Sequence, residues 1–469
     1  MKFVVYQRHT SPTVSFHTYA DVGAYDEEDG VTGVAHLLEH LAFKGTPRIG
    51  TNDFRKEAPI LDAMDEVFYS MLELNANKST DGSSSSTKKK ALYERQLDQL
   101  QQQASRYQIP NAYGALLSRQ GAVGLNAATS HDSTVYYCSL PSNKLELWFS
   151  LESERFQAPV FRELYSEKKV VFEERRMRVE NSPLGPFQEE FSQRSLPTSK
   201  YRRPVIGYER DLYRLGRREV AQFFADHYGP ASLTVAVVGD VTPSQVAALA
   251  EKYFGKWKST GTPGTPCSDL QSTNMPASTA TANNDRTLVA KSIAGPAVLR
   301  AYYRPCIRNV QASTSFDVIN DVLTGSRSSR LYKNLVLTNK ALTVTSYASF
   351  PAEKHPNQMA IYAIPNTGTT TLQELDSRIQ QEVDDLADAG PSAQELQRYV
   401  KAARVGVLEV LQSNSALASS LASYQGLMGD WREIIRDLER VDGVRREDVA
   451  RVAATYLTPQ NCFTGYIVD

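Results

Sequence analysis

Asp211-Leu-Tyr-Arg-Leu-Gly-Arg-Arg-Glu-Val-Ala221 leads through a tyrosine and a proline into the apolar run Leu233 to Val238. Late in the chain, Asp437-Leu-Glu-Arg-Val-Asp-Gly-Val-Arg-Arg-Glu-Asp-Val-Ala450 leads through Tyr456 and Pro459 into Phe463 to Val468. Helix, tyrosine, proline and apolar strand come in the same order twice, so the chain reads as a duplicated α+β domain. Other strands are expected at Phe3 to Tyr6, Val14 to Tyr19, Thr134 to Leu140, Val298 to Tyr303 and Gln358 to Ile364, where apolar and β-branched residues cluster or alternate. Each half is then an antiparallel-dominated sheet with helices on one face. A length of 469 residues exceeds what one hydrophobic core normally fills, in keeping with two domains.

Between the halves lies a stretch rich in Ser, Thr, Pro, Gly and Asn from Ser259 to Asn284, too poor in periodic apolar residues to order itself. The expected division is therefore a first domain over 1–257, a flexible linker over 258–285 and a second domain over 286–469. A second polar stretch, Ser79 to Thr87, interrupts two helical patterns. Leu61, Met64, Phe68 and Leu72 carry the first, and Leu92, Leu97 and Leu100 the second. Together they predict a helical hairpin with a mobile tip, inserted over about 53–118.

A formal net charge of -1 gives no field that would draw the whole chain to nucleic acid or to an anionic membrane. No apolar run approaches the roughly twenty residues of a membrane span. Met1 leads almost directly into the first strand, so neither a signal nor a transit peptide is expected. Cys138, Cys267, Cys306 and Cys462 lack the close spacing of a metal cluster or redox pair and read as free thiols, a lean toward a reducing compartment.

His36-Leu-Leu-Glu-His40 carries the chemistry. Gly33 and Gly45 bracket a short helix on which positions i, i+3 and i+4 share a face, so both imidazoles and the Glu39 carboxylate point one way. Imidazole is a good zinc ligand, and a carboxylate beside the attacking water can take its proton. The bland reading is an amphipathic helix with two His and a Glu on its polar face. Further on, Glu167-Lys-Lys-Val-Val-Phe-Glu-Glu174 also reads as a helix, with its outer glutamates two turns apart on one face. By itself this pattern leaves open whether any of its carboxylates is a ligand or all of them form a solvated face.

The pairing of H-x-x-E-H with a downstream E-x-x-V-V-x-E-E resembles the pitrilysin and insulysin type of zinc metallopeptidases, the inverzincins, and among them the small two-domain members related to mitochondrial and chloroplast processing peptidases. The likeness runs along nearly the whole chain, through Gly30 to Thr46, Asn126-Ala-Ala-Thr-Ser with Thr134-Val-Tyr-Tyr, Tyr201 to Gly207 with Gly239-Asp240, and Ser326 to Leu335. It implies one zinc ion held by His36, His40 and Glu174, with Glu173 the alternative ligand. Glu39 is then the catalytic base and Glu167 a supporting catalytic carboxylate. It also implies two homologous domains forming half of a clamshell chamber, the second free of metal. The implied activity is endopeptidase cleavage of unfolded peptides or targeting-sequence fragments, bound along the strand of Asn126 and Ala127. Many active relatives carry an Arg and a Tyr seven residues apart in the second domain. Val336 and Thr343 stand there in this chain, leaving Tyr347 or a partner subunit to supply the contact. The expected assembly is a dimer, possible with a related zinc-less subunit bearing the Arg and Tyr. The alternative is a catalytically silent or structural subunit of a processing complex. Resemblance leans the location toward an organelle, with bacterial cytoplasm or periplasm as the other choices.

Overall fold

The computed structural model describes residues 1–77, 84–258, 261–267, 286–291 and 295–468. They form two compact units. Unit 1 comprises residues 1–174 and 204–264, and unit 2 comprises 175–203 and 265–469.

Unit 1 holds strands β1 (Lys2–Gln7), β2 (Thr13–Ala20), β3 (Val123–Thr129), β4 (Thr134–Pro141) and β5 (Leu233–Gly239). Its helices are α1 (Val34–Leu41), α2 (Phe54–Asn77), α3 (Ser84–Ser105), α4 (Ala112–Arg119), α5 (Leu145–Gln157) and α6 (Leu164–Arg175). After α7 (Gly185–Ser195), which lies in unit 2, come α8 (Glu209–Arg214), α9 (Arg217–His227) and α10 (Pro243–Phe254). Strand order is β1-β5-β2-β4-β3, with β1 parallel to β5 and every other pair antiparallel. The apolar run of β5 is buried at every position, as expected of an inner strand covered on both faces. Val14, Phe16, Leu140, Val235 and Val237 on one face pack against Trp148 and Phe149 of α5 and Val246 of α10.

Unit 2 holds β6 (Thr287–Lys291), β7 (Ala297–Arg304), β8 (Ala341–Phe350), β9 (Asn357–Pro365) and β10 (Cys462–Val468). Its remaining helices are α11 (Val310–Thr324), α12 (Leu372–Ala389), α13 (Ala393–Gln412), α14 (Asn414–Leu427), α15 (Glu433–Gly443) and α16 (Arg446–Tyr456). The order β6-β10-β7-β9-β8 repeats that of unit 1 strand for strand, again with the outer pair β6 and β10 parallel. The duplication is thus visible in topology. Val298, Tyr302, Met359 and Ile361 face Phe316 and Ile319 of α11 and Leu375 and Ile379 of α12. The opposite face of this sheet, with Leu299, Ala301, Phe463 and Ile467, is covered by Phe187 and Phe191 of α7. Gly465 is what lets those rings come so close, since a Cβ there would stand 2.6 Å from Phe187. That packing is why residues 175–203 join unit 2, an excursion that a single boundary at 257 does not capture.

Helices α2 and α3 pack along each other as the expected hairpin. Within the expected tip, Ser79 to Thr87, residues 79–83 lie outside the described residues and 84–87 begin α3. Most of the expected linker, 259–260 and 268–285, also lies outside them. One expectation is overturned: Cys267 and Cys306 form a disulfide, leaving Cys138 and Cys462 as buried free thiols. The two partners are 39 residues apart in sequence, a separation that carries no spacing signal.

Candidate metal centre

Helix α1 is fixed at both ends. Gly33, at φ 88°, starts it in a left-handed conformation, and a Cβ there would meet the Ile206 carbonyl oxygen at 2.7 Å. The fully buried Glu27 carboxylate accepts the N–H groups of Gly33 and Ala35, each at 2.9 Å, and so satisfies free donors at the positive end of the helix. Beyond the C-terminal end, the buried Arg162 guanidinium donates to the carbonyls of Lys44, Thr46 and Ile49 while pairing with buried Glu57. The turn after α1 is therefore held from inside the fold.

On this helix, the His36 and His40 rings stand 4.8 Å apart between centroids at 80°. Glu174, in the last turn of α6, places Oε2 3.7 Å from His36 Nε2 and 3.7 Å from His40 Nε2. These contacts are too long for hydrogen bonds. They are close to the roughly 3.3 Å separating two ligands that sit about 2.0–2.1 Å from a tetrahedral zinc. Among the described residues, this triple is the group whose donor atoms could hold a metal ion, all lying within 4.8 Å of one another. Glu173 is exposed.

The surrounding groups orient the donors. Glu167 Oε2 lies 3.3 Å from His40 Nδ1, and a carboxylate at that nitrogen favours the tautomer protonated on Nδ1. Lys44 Nζ in turn reaches Glu167 Oε1 at 2.6 Å and Glu163 Oε2 at 2.9 Å. The Glu167 hydrogen bond raises the proton affinity of His40 against the effect of its burial. Burial pushes the Glu167 carboxyl up, but the bonds from His40 and Lys44 outweigh it and hold it below the ordinary range. Helix α6 is anchored in the same region by buried Lys168, whose Nζ donates to the carbonyls of Tyr213 and Leu215 and whose pKa burial pushes down to about 7.

Glu39 is half-buried between the two histidines in sequence, and its Oε2 accepts the Thr129 hydroxyl at 2.6 Å. Burial raises its pKa above the usual carboxylate value, opposed by Thr129. Asn126 and Ala127 lie on β3, the edge strand of the sheet, where Asn126 is exposed and Ala127 nearly buried. Thus β3 touches Glu39 through Thr129, and an extended chain could pair along its free edge. Tyr347 lies on β8 of unit 2, half exposed. The sequence reading missed Lys44, Thr129, Glu27 and Arg162. Lys44 follows His40 by four residues and could have been noticed. Glu27, Thr129 and Arg162 act through contacts that local periodicity does not reveal.

Comparison with known proteins places the whole chain. A family model described as "Insulinase (Peptidase family M16)" matches residues 2–71 and 98–205. A second, "Peptidase M16 inactive domain", matches residues 214–403. The chain belongs to peptidase family M16. Residues 72–97, within the span of the α2–α3 hairpin, fall between the two parts of the first match. The chain is 22% identical over 457 residues to the uncharacterized zinc protease YmxG of Bacillus subtilis, covering 95% of this chain and 93% of that one. It is 24% identical over 455 residues to the zinc protease PqqE of Helicobacter pylori, covering 95% and 85%. Among solved structures, a protease from Helicobacter pylori matches with TM-score 0.76 at 20% identity, covering 100% of this chain and 96% of that one. The first half of the periplasmic protease PqqL from Escherichia coli matches with TM-score 0.66 at 17% identity, covering 99% and 89%. These structural likenesses establish the fold. The relatives named are bacterial, and the expectation of an organelle gains no support from them. No helix among the described residues is long and apolar enough to cross a membrane.

Proposed function

We propose that the chain is a zinc-dependent endopeptidase acting on unfolded peptides. His36, His40 and Glu174 would hold one zinc ion, Glu39 would serve as general base, and Glu167 would orient His40. The observation that carries this reading is the single Glu174 oxygen standing 3.7 Å from both imidazole Nε2 atoms. Zinc bound there would supply Lewis acidity to the scissile carbonyl and to the attacking water. The half-buried Glu39 carboxylate takes a proton from that water as its oxygen attacks the carbonyl carbon, then passes the proton to the leaving amine nitrogen as the C–N bond breaks. The free edge of β3 binds substrate through backbone pairing, which selects an extended and therefore unfolded chain. Its support is the position of Asn126 and Ala127 on an edge strand that also contacts the base.

A second reading follows from Val336 and Thr343, which offer neither guanidinium nor phenol where the family resemblance would place such donors. In it the chain works as one member of a dimer, with a related zinc-less subunit supplying the pair. One experiment addresses both. Zinc content is measured on the purified chain, and cleavage of a quenched unstructured peptide is followed alone and with candidate partners. Stoichiometric zinc with turnover that Glu39→Gln abolishes supports the first reading. Turnover that appears only with a partner supports the second. A chain without zinc, or an active Glu39→Gln variant, overturns the proposal.

A further inference from the structure

Glu39 has two carboxylate oxygens, and only one can face the water it is proposed to activate. Oε2 accepts the Thr129 hydroxyl at 2.6 Å, a short charge-assisted bond. Thr129 is the last residue of β3 and is held in register opposite Thr134, so its hydroxyl sits on the sheet and not on a mobile loop. Because a long glutamate side chain has three free torsions, a fixed donor on one oxygen removes much of the freedom that would otherwise misplace the other.

We propose that Thr129 is the positioning residue of the general base: its hydroxyl pins Oε2 of Glu39 and thereby presents Oε1 as the oxygen that takes the proton. This rests on Glu39 being the base. It adds that the strand which pairs with substrate also sets the orientation of the base, so that the two are placed by one rigid element. A displacement of about 1 Å at such a group is enough for roughly a hundredfold in rate.

The test uses Thr129→Val, which keeps the shape and removes the donor, with Thr129→Ser, which restores it. Zinc content, thermal midpoint, kcat and KM on an unstructured peptide are measured for each, and in the Glu39→Gln background the residual single-turnover rate at high enzyme concentration. The expected result is a tenfold to hundredfold fall in kcat for Thr129→Val, on the order set by misplacement. KM and zinc content should stay within about twofold, the scale of ordinary scatter in such comparisons, Thr129→Ser should recover most of kcat, and Thr129→Val should add nothing further once Glu39 is Gln. A kcat within twofold of wild type, loss of zinc in parallel with rate, a rise in KM alone, or a full additional loss in the Glu39→Gln background would each overturn it. If Glu39→Gln is itself active, the failure lies in the assignment of the base.

Discussion

Among single residues, the proposed donor set makes the sharpest division, between groups that would hold an ion and groups that would orient the holders. Glu174→Gln replaces a charged donor by a neutral amide at the centre of the triple, so zinc should be lost on dialysis. Glu167→Gln leaves all three donors in place and weakens only the hold on His40 Nδ1, which should cost about 10–100-fold in zinc affinity. Competition with a chromogenic chelator measures both, and equal affinities for the two variants would contradict the division. Away from the site, His17 of β2 is 5% exposed and stacked on Tyr137, and burial pushes its pKa down to about 4. An unfolded histidine takes its proton near pH 6.5, whereas the folded one waits until about pH 4. Stability that is complete above about pH 6.5 is therefore lost as pH falls toward 4, by about 3 kcal/mol at most. His17→Phe keeps the stacked ring without the titration. Its thermal midpoint should fall less than wild type between pH 7 and pH 4.5, and parallel curves would rule the linkage out.

The elements differ in how plainly their sequences announce them. Helix α1 is legible because His36, Glu39 and His40 lie within two turns and bring their own geometry with them. Strands β2, β4, β5, β7, β9 and β10 follow from apolar runs, and the duplication, though not the strand order that displays it, follows from the echoed segments at Asp211 and Asp437. Glu174 required family resemblance, because a glutamate-rich helix looks the same whether it holds an ion or faces water. The contact from Thr129 to Glu39 spans 90 residues and is set by strand register, to which no local period answers. Helix α7 shows the same limit at larger size. It follows α6 in the chain yet packs on the sheet of unit 2, where Phe191 is fully buried and stands edge-on to Phe463 at 5.1 Å. Phe191→Ala should remove about 3–5 kcal/mol from the stability of that unit. Gly465→Ala should also destabilise it by driving a methyl into Phe187 and Phe191. Denaturant midpoints followed by a probe in unit 2 would show both, and an unchanged midpoint for Phe191→Ala would mean that α7 does not stay on the sheet.

For the whole molecule, the disulfide changes what the cysteines say. Four scattered thiols point to a reducing compartment, whereas a bridge between buried Cys306 and Cys267 is of the kind that persists in an oxidising one. It ties the start of the polar stretch between the two sheets to the end of β7 across 39 residues. In the loop-closure model, a cross-link of that span contributes about 4 kcal/mol by restricting the unfolded chain. The remaining thiols are shielded, Cys138 with its pKa pushed up to about 12 by burial and Cys462 raised by the same cause. Alkylation of protein purified without reductant should therefore label no cysteine in the native state, two after unfolding, and all four after unfolding with reductant. Cys306→Ser should lower the thermal midpoint, and reductant should lower that of wild type to a similar level while leaving the variant unmoved. The comparison separates loss of the bridge from loss of packing, since reductant removes the first with little change to the second. Four labelled cysteines in the unfolded, unreduced protein would show that the bridge does not form, and with it would go the argument for an oxidising compartment.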